Sequence, residues 1–265
     1  MTKLIEFKNQ NSEVLRGLLD EADDEKGLVF VHGFERTTIE MKFKNIVDAL
    51  KGKINLFRFD FSGCGLSDGK FEDLTVDKLT GELVVAIKAF KSHCLQVKNI
   101  SLVAHSLAGC IVLKLLGENK QDISKILFLA PAFNQKELMR YWFVVSQMKK
   151  ENIQISWNNF RKNLAEDKFQ EDLAIRKRMT KGHELFNDYF LQNSEIDFQD
   201  FFGKIGMPPE NILIIHGDAD DKVPIQSNNH LPGDIKIVKV VGGDHDLERL
   251  DMVKQYLDKA DLFLI

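Results

Sequence analysis

The sequence has few cysteines, no long apolar run and no excess of positive charge, and each absence excludes a class of protein. Only three of the 265 residues are cysteine, and none has a histidine or a second cysteine at metal-ligand spacing. Unpaired thiols are typical of the reducing cytosol, and residues 1–10 lack the apolar core of a signal peptide. We therefore expect a cytoplasmic protein without disulfides or a metal.

No run approaches the roughly 18 apolar residues of a membrane-spanning helix. The formal net charge is −4, and lysines and arginines are interspersed with acids, which gives no support for a nucleic-acid partner. With 44% hydrophobic and 29% charged residues, the composition is that of a globular protein. The length fits one large α/β domain or a domain that carries a sizeable insertion.

Strand and helix patterns alternate along the first 133 residues. Sequence alternation predicts two early antiparallel strands at 3–7 and 13–19. Amphipathic stretches predict helices at 75–93 and 107–116. Apolar runs predict buried strands at 27–33, 54–61, 99–104 and 123–130. Thr37 and Glu40 form a capping-box pattern that predicts a helix ending near Leu50. This order predicts an α/β fold with a mostly parallel twisted sheet and helices on both faces.

Between residues 134 and 204 no strand pattern is convincing, and amphipathic helical stretches dominate. Of the 20 phenylalanines, three tyrosines and two tryptophans in the chain, twelve lie in this segment. We expect a helical cap inserted into the domain, with core parts at 1–133 and 205–265. Strands at 211–217 and 234–241 and a helix at 246–262 complete the predicted core.

The stretch VAHSLAGC, residues 103–110, places Ser106 between a predicted strand and a predicted helix. It nearly matches the G-x-S-x-G nucleophile turn, with Ala104 and Ala108 in the positions of the glycines. Small residues are required there because their side chains crowd the neighbouring backbone, and alanine adds only one methyl group. Ser106 is therefore a candidate nucleophile.

Two later strand ends carry candidate partners for Ser106. Carboxylates follow the predicted strand at 211–217, and the pattern of acid, two residues, Val and Pro points to Asp220, leaving Asp218 and Asp221 as structural or solvated alternatives. His245 follows a strand and two glycines. The order Ser106, Asp220, His245 is that of nucleophile, acid and base in α/β-hydrolases.

The chain resembles the cinnamoyl (feruloyl) esterase group of α/β-hydrolases. The run FRFDFSGCGLSDGKFEDLTV, residues 57–76, carries most of this resemblance, supported by His-Gly-Phe at 32–34 and Leu-Ala-Pro-Ala at 129–132. The resemblance implies a catalytic triad of Ser106, Asp220 and His245, an oxyanion hole made by the backbone N–H groups of Phe34 and Leu107, and no cofactor. From the residues alone, Asp60 is interpreted as a loop anchor.

We therefore expect a serine hydrolase that cleaves small-molecule carboxylic esters through an acyl-enzyme, with aromatic-acid or short-chain acyl esters as substrates. The activity should fall below about pH 6 to 7, where the histidine base becomes protonated. Thioester, lipid-ester, peptide and carbon–carbon hydrolysis on the same triad stay open as alternatives. A ligand-binding protein with a hydrolase fold and little turnover is a further alternative, and a homodimer is one assembly that the sequence allows.

Overall fold

The computed structural model describes residues 1–118, 122–175, 177–180 and 183–265. Ten strands lie in this part of the chain: β1 (Thr2–Lys8), β2 (Val14–Asp20), β3 (Lys26–Val31), β4 (Asn55–Asp60), β5 (Asn99–His105), β6 (Lys125–Leu129), β7 (Lys177–Thr180), β8 (His183–Phe186), β9 (Ile212–Gly217) and β10 (Lys236–Val240). The α-helices there are α1 (Met41–Leu50), α2 (Val76–His93), α3 (Ala108–Glu118), α4 (Gln135–Lys149), α5 (Glu166–Leu173), α6 (Asp188–Asn193) and α7 (Leu250–Leu264).

Eight of these strands form one sheet in the order β1-β2-β4-β3-β5-β6-β9-β10. The pairs β1–β2 and β2–β4 are antiparallel, and the other neighbouring strands are parallel. The central parallel strands are buried along nearly their whole length, which explains why their sequences are continuous apolar runs. The predicted mostly parallel sheet is confirmed.

Helices cover both faces of this sheet. On one face α2 and α3 pack together over a core built from phenylalanines and aliphatic side chains. On the other face α1 and α7 pack against the opposite side chains of the same strands. Because parallel strands expose two apolar faces, a helical layer on each side is needed to remove them from water.

The segment between β6 and β9 differs from its prediction. It holds α4, α5 and α6, but it also holds the antiparallel hairpin β7–β8. The expectation of a segment without strands is therefore wrong. Each of these strands is only four residues long, which is too short for a two-residue alternation to stand out within a charged, helix-like sequence.

The predicted capping box is also wrong. Helix α1 begins at Met41 with Glu40 as its N-cap, and no side chain caps it. The Glu40 carboxylate instead forms ion pairs with Arg36 at 3.3 Å and Lys42 at 3.1 Å. These two cations, both within four residues of Glu40, compete for the carboxylate that the capping-box pattern assigns to the helix end.

No helix in the described residues is long and apolar enough to cross a membrane.

Candidate active site

Ser106 lies in the tight connection between β5 and α3, and its backbone has a φ of 56°. Left-handed backbone is strained for a residue with a Cβ, so the surroundings must hold it in place. The Ser106 N–H donates to the Leu129 carbonyl at 3.0 Å. Its own carbonyl accepts from the N–H of Gly109 at 3.0 Å and of Ala132 at 3.1 Å. These hydrogen bonds fix the turn from three sides.

The small residues around this turn are closely packed. Ala104 and Ala108 are completely buried, so their methyl groups are accommodated where the hydrolase pattern has glycines. Gly33, at the end of β3, leaves less room, since a Cβ there would lie 3.0 Å from both the His105 carbonyl oxygen and the Ser106 Cβ. The strand ends thus hold the Ser106 turn through backbone packing.

The structure brings Ser106, Asp220 and His245 together from three distant parts of the sequence. The Ser106 Oγ lies 2.9 Å from the His245 Nε2, and the His245 Nδ1 lies 2.8 Å from the Asp220 Oδ2. Because a carboxylate accepts hydrogen bonds, Nδ1 carries the proton and Nε2 is left to accept from the serine hydroxyl. All three residues are buried.

Asp220 occupies the turn that follows β9. Its Oδ1 accepts from the backbone N–H of Lys222 at 3.0 Å and of Val223 at 2.8 Å. Burial by itself would raise the pKa of the Asp220 carboxyl, but hydrogen bonds from His216 and His245 outweigh burial and lower it to about 2. The carboxylate is therefore ionised at neutral pH and can stabilise an imidazolium.

The neighbouring acids Asp218 and Asp221 do not form the hydrogen bond to His245 that Asp220 forms. Asp218 is exposed, and its Oδ1 accepts from the Gly242 N–H at 2.7 Å, so it ties the turn after β9 to the turn after β10. Asp221 is exposed and lines the cavity described below. The arrangement thus favours Asp220 over both alternatives as the partner of His245.

Phe34 and Leu107 border Ser106 and line the same cavity. Phe34 follows the end of β3, and its ring contacts the rings of Phe71 and Tyr189. Among the residues that the structure describes, no acceptor is found for the backbone N–H of Phe34 or Leu107. Both N–H groups are therefore available to a bound ligand.

A cavity of about 490 Å³ opens above Ser106. Its inner wall is mainly apolar and aromatic, and the segment between β6 and β9 contributes six of its lining residues: Ala132, Gln135, Trp142, Val145, Tyr189 and Phe190. Charged residues also line it: Glu35, Arg36, Asp221 and Lys222. The Trp142 indole N–H donates to the Lys222 carbonyl at 2.6 Å, which joins α4 to the turn that carries Asp220.

Asp60 anchors the loop after β4, as predicted. Its two carboxylate oxygens accept from the backbone N–H of Thr38 at 2.7 Å and of Leu66 at 2.9 Å, while its carbonyl accepts from the Ser67 hydroxyl at 2.6 Å. A Cβ on Gly65 would lie 2.2 Å from the Asp60 Oδ2, so glycine is required for this approach. Asp60 therefore supports the loops beside the site.

Sequence reasoning missed two buried histidines beside the site. His105 precedes Ser106, and its Nε2 donates to the His245 carbonyl at 3.0 Å. Burial lowers the pKa of His105 well below the ordinary value, so its imidazole is neutral. His216, on β9, lies next to Asp220. The local signal is a histidine at a strand end, before Ser106 in one case and before Gly217 in the other, and it does not reveal these partners.

The sheet order, the helices on both faces and the strained serine turn define an α/β-hydrolase. A sequence model described as serine aminopeptidase, S33, matches residues 23–241, and the chain belongs to this family of hydrolases. Comparison with curated proteins gave no match.

Several solved structures have the same fold. Est1E from Butyrivibrio proteoclasticus, with bound ferulic acid, has a TM-score of 0.72 at 21% identity and covers 98% of this chain and 96% of its own. The Pyrococcus furiosus esterase PF2001 has a TM-score of 0.67 at 19% identity, covering 100% and 90%. Mouse alpha/beta hydrolase domain-containing protein 10 has a TM-score of 0.67 at 15% identity, covering 99% and 98%. The predicted α/β-hydrolase fold is confirmed.

Proposed function

We propose that the protein is a serine esterase that hydrolyses small carboxylic esters through an acyl-enzyme. The observation that carries the proposal is the hydrogen-bonded series from Ser106 through His245 to Asp220, with the serine on a strained turn at the base of a cavity. A hydroxyl in contact with an unprotonated imidazole nitrogen is the arrangement that activates serine as a nucleophile.

In the proposed mechanism, His245 takes the proton of Ser106 while the serine oxygen attacks the ester carbonyl. Asp220 holds the Nδ1–H tautomer of His245 and stabilises the imidazolium that forms. His245 then donates the proton to the departing alcohol, and the acyl group stays on Ser106. Water, deprotonated by His245, attacks the acyl-enzyme and releases the acid.

We assign to the backbone N–H groups of Phe34 and Leu107 the stabilisation of the negative charge that develops on the carbonyl oxygen. Their lack of acceptors among the described residues supports this role. One such donor contributes about 3 to 4 kcal/mol to transition-state stabilisation in a well-studied serine protease. No cofactor is needed for these steps.

The lining of the cavity favours an ester with an apolar or aromatic part. Side chains such as Trp142, Tyr189 and Phe190 offer ring faces and edges to a planar group. Est1E, which has the same fold, binds ferulic acid. We therefore propose aromatic-acid esters as the first substrate class, and short-chain acyl esters as the second. Residues 134–204 are proposed to be the cap that selects among them, over a core of 1–133 and 205–265.

Peptide hydrolysis is a second candidate function, because the matched family is described as serine aminopeptidase. Glu35 and Asp221 line the cavity and carry the charge that a substrate ammonium group would require. Their neighbours Arg36 and Lys222 carry opposite charge, which weakens this recognition. Aminoacyl p-nitroanilides assayed beside p-nitrophenyl esters distinguish the two activities.

Labelling with a fluorophosphonate probe tests the proposal without knowledge of the substrate. We expect rapid labelling that is lost in Ser106→Ala and retained in Ser92→Ala, which alters an exposed serine on α2. A panel of p-nitrophenyl esters with methyl ferulate then ranks the substrates. Absence of labelling in the intact protein would favour a ligand-binding role over an enzyme.

The cellular location is part of the same proposal. Cys64, Cys94 and Cys110 are all buried and unpaired. Free thiols in this number support a reducing compartment, and we propose the cytoplasm. Fractionation of the source cells with an antibody to the protein tests this assignment.

A further inference from the structure

The hydrogen bonds around Asp220 continue beyond the three residues of the proposed triad. His216, on β9, is completely buried, and its Nε2 lies 2.8 Å from the Val223 carbonyl oxygen and 3.3 Å from the Asp220 Oδ2. Its Nδ1 lies 3.2 Å from the Asn228 Nδ2. The series therefore runs from Asn228 through His216 to Asp220, and from there to His245.

The neighbours of His216 define its tautomer. Two oxygen acceptors face Nε2, so this nitrogen carries the hydrogen and shares it between the Val223 carbonyl and the Asp220 carboxylate. The Asn228 amide donates to Nδ1, which is therefore the acceptor. In this orientation the imidazole donates to Asp220 through Nε2 and accepts from Asn228 through Nδ1.

His216 also holds the turn on which Asp220 lies. Val223 donates its N–H to the Asp220 Oδ1 and gives its carbonyl to His216, so one imidazole contacts both ends of the turn. The Asp220 Oδ2 lies between His216 on one side and His245 on the other. Rotation of the carboxylate would break hydrogen bonds to both oxygens.

Other ionisable groups near this series come from different elements. Tyr141, on α4, has its pKa raised by burial and by the charges of Asp221 and Asp220. His105, on β5, packs its ring against the ring of His245, with centroids 4.9 Å apart. Both groups are neutral at neutral pH. Asp220 is the charged group in hydrogen-bond contact with His245, and Glu35, Arg36, Asp221 and Lys222 line the cavity beside it.

We infer that His216 is a positioning residue that fixes the Asp220 carboxylate and moderates its pull on the His245 proton. This inference rests on the proposed function. A hydrogen bond from His216 withdraws part of the negative charge from Asp220, so its removal leaves a more basic carboxylate that holds the imidazolium proton more firmly. The removal also leaves the Asp220 turn less constrained.

The pH dependence of fluorophosphonate labelling tests this inference in the full-length protein. His216→Met removes the donor while keeping a side chain of similar length, and His216→Gln keeps an N–H donor. His230→Gln is the control, because His230 is largely exposed and pairs with Asp197 instead. Labelling rates are measured from pH 5 to 9, with thermal unfolding of each variant.

In His216→Met we expect labelling about tenfold slower at its optimum pH. We also expect the acid limb, the pH range over which the labelling rate falls on acidification, to lie about half a pH unit higher than in the unchanged protein. His216→Gln should keep the original limb, as should His230→Gln. An upward shift of the acid limb in His216→Met that is absent from His216→Gln supports the inference. Any other combination of acid-limb positions in these variants overturns it. If His216→Met does not fold, Asn228→Ala removes the donor to Nδ1, and a smaller upward shift is expected.

The two proposals fail in different ways. Labelling that persists in Ser106→Ala would overturn the esterase proposal itself. Labelling that depends on Ser106, with His216→Met showing the same limb as His230→Gln, would overturn only the role of His216. The conservative variant separates a positioning role from a loss of packing, because packing alone does not move the acid limb.

Discussion

Ser106 has a backbone φ of 56°, a left-handed conformation that is sterically unfavourable for a residue with a Cβ. The geometry is held by hydrogen bonds to Leu129, Gly109 and Ala132 and by the close approach of Gly33. Strain of this kind is expected where a hydroxyl must project from a strand end toward a ligand. The alanines at 104 and 108 do not prevent the turn from forming, so its strain follows from the surroundings.

This strain should be measurable as stability. Ser106→Gly relieves the left-handed penalty, whereas Ser106→Ala removes the hydroxyl and keeps the penalty. We expect the glycine variant to exceed the alanine variant by about 1 kcal/mol in free energy of unfolding, after allowance for the larger chain entropy of glycine. Urea unfolding of both variants measures the difference. A glycine variant that is less stable than the alanine variant would contradict the claim that the backbone at residue 106 is strained.

Single residues were partly predictable from the sequence. Ser106, Asp220 and His245 each end or follow an apolar run, and parallel strands bring their carboxyl ends to one edge of the sheet, so the candidate set could be proposed before the geometry was known. His216 and His105 could not, because their roles depend on partners that are distant in the sequence and are fixed only by packing.

At the scale of elements, the turn after β10 reaches the site by packing directly on the end of β9. A Cβ on Gly217 would lie 2.1 Å from the Gly243 carbonyl oxygen and 2.9 Å from the Asp244 carbonyl oxygen. The Ala219 N–H donates to the Gly243 carbonyl at 2.9 Å. These backbone contacts place His245, two residues after Gly243, over the serine turn.

Gly217→Ala should therefore damage stability and chemistry together. The added methyl group meets backbone atoms that cannot rotate away, so we expect a loss of about 2 kcal/mol in free energy of unfolding and labelling slowed about tenfold. Gly203→Ala is the matched control, because a Cβ on Gly203 meets nothing within 4 Å. Equal labelling rates in the two variants would show that the β9–β10 contact does not position His245.

Element prediction succeeded where the pattern was long and failed where it was local. Buried parallel strands and the helix of residues 76–93 have clear hydrophobic patterns, and the structure has that helix over Val76–His93. The capping box at Thr37 failed because Arg36 and Lys42, through ion pairs, hold the Glu40 carboxylate. The hairpin β7–β8 was missed because four-residue strands leave too little pattern.

On the scale of the whole molecule, the three thiols and three phenols of the chain share one property: all are buried. Burial raises the pKa of the Cys64 thiol to about 12 and raises the pKa of the other two thiols. Burial likewise raises the pKa of every tyrosine, at positions Tyr141, Tyr189 and Tyr256. The fold therefore favours six neutral acids that the unfolded chain would ionise in alkaline solution.

A raised folded-state pKa gives stability that is complete below the unfolded pKa and is lost as pH rises above it. Cys64, whose folded-state pKa is raised to about 12, should therefore lower the free energy of unfolding by about 1 kcal/mol between pH 9 and 10, and the other thiols and the tyrosines add to this loss. Urea unfolding under reducing conditions measures this slope, and Cys64→Ala should make it shallower by about 1 kcal/mol per pH unit. Tyrosinate absorbance should rise only as the fold is lost, because ionisation requires exposure. Phenols that ionise near pH 10 in a protein with intact near-ultraviolet dichroism would contradict the coupling between burial, protonation and folding.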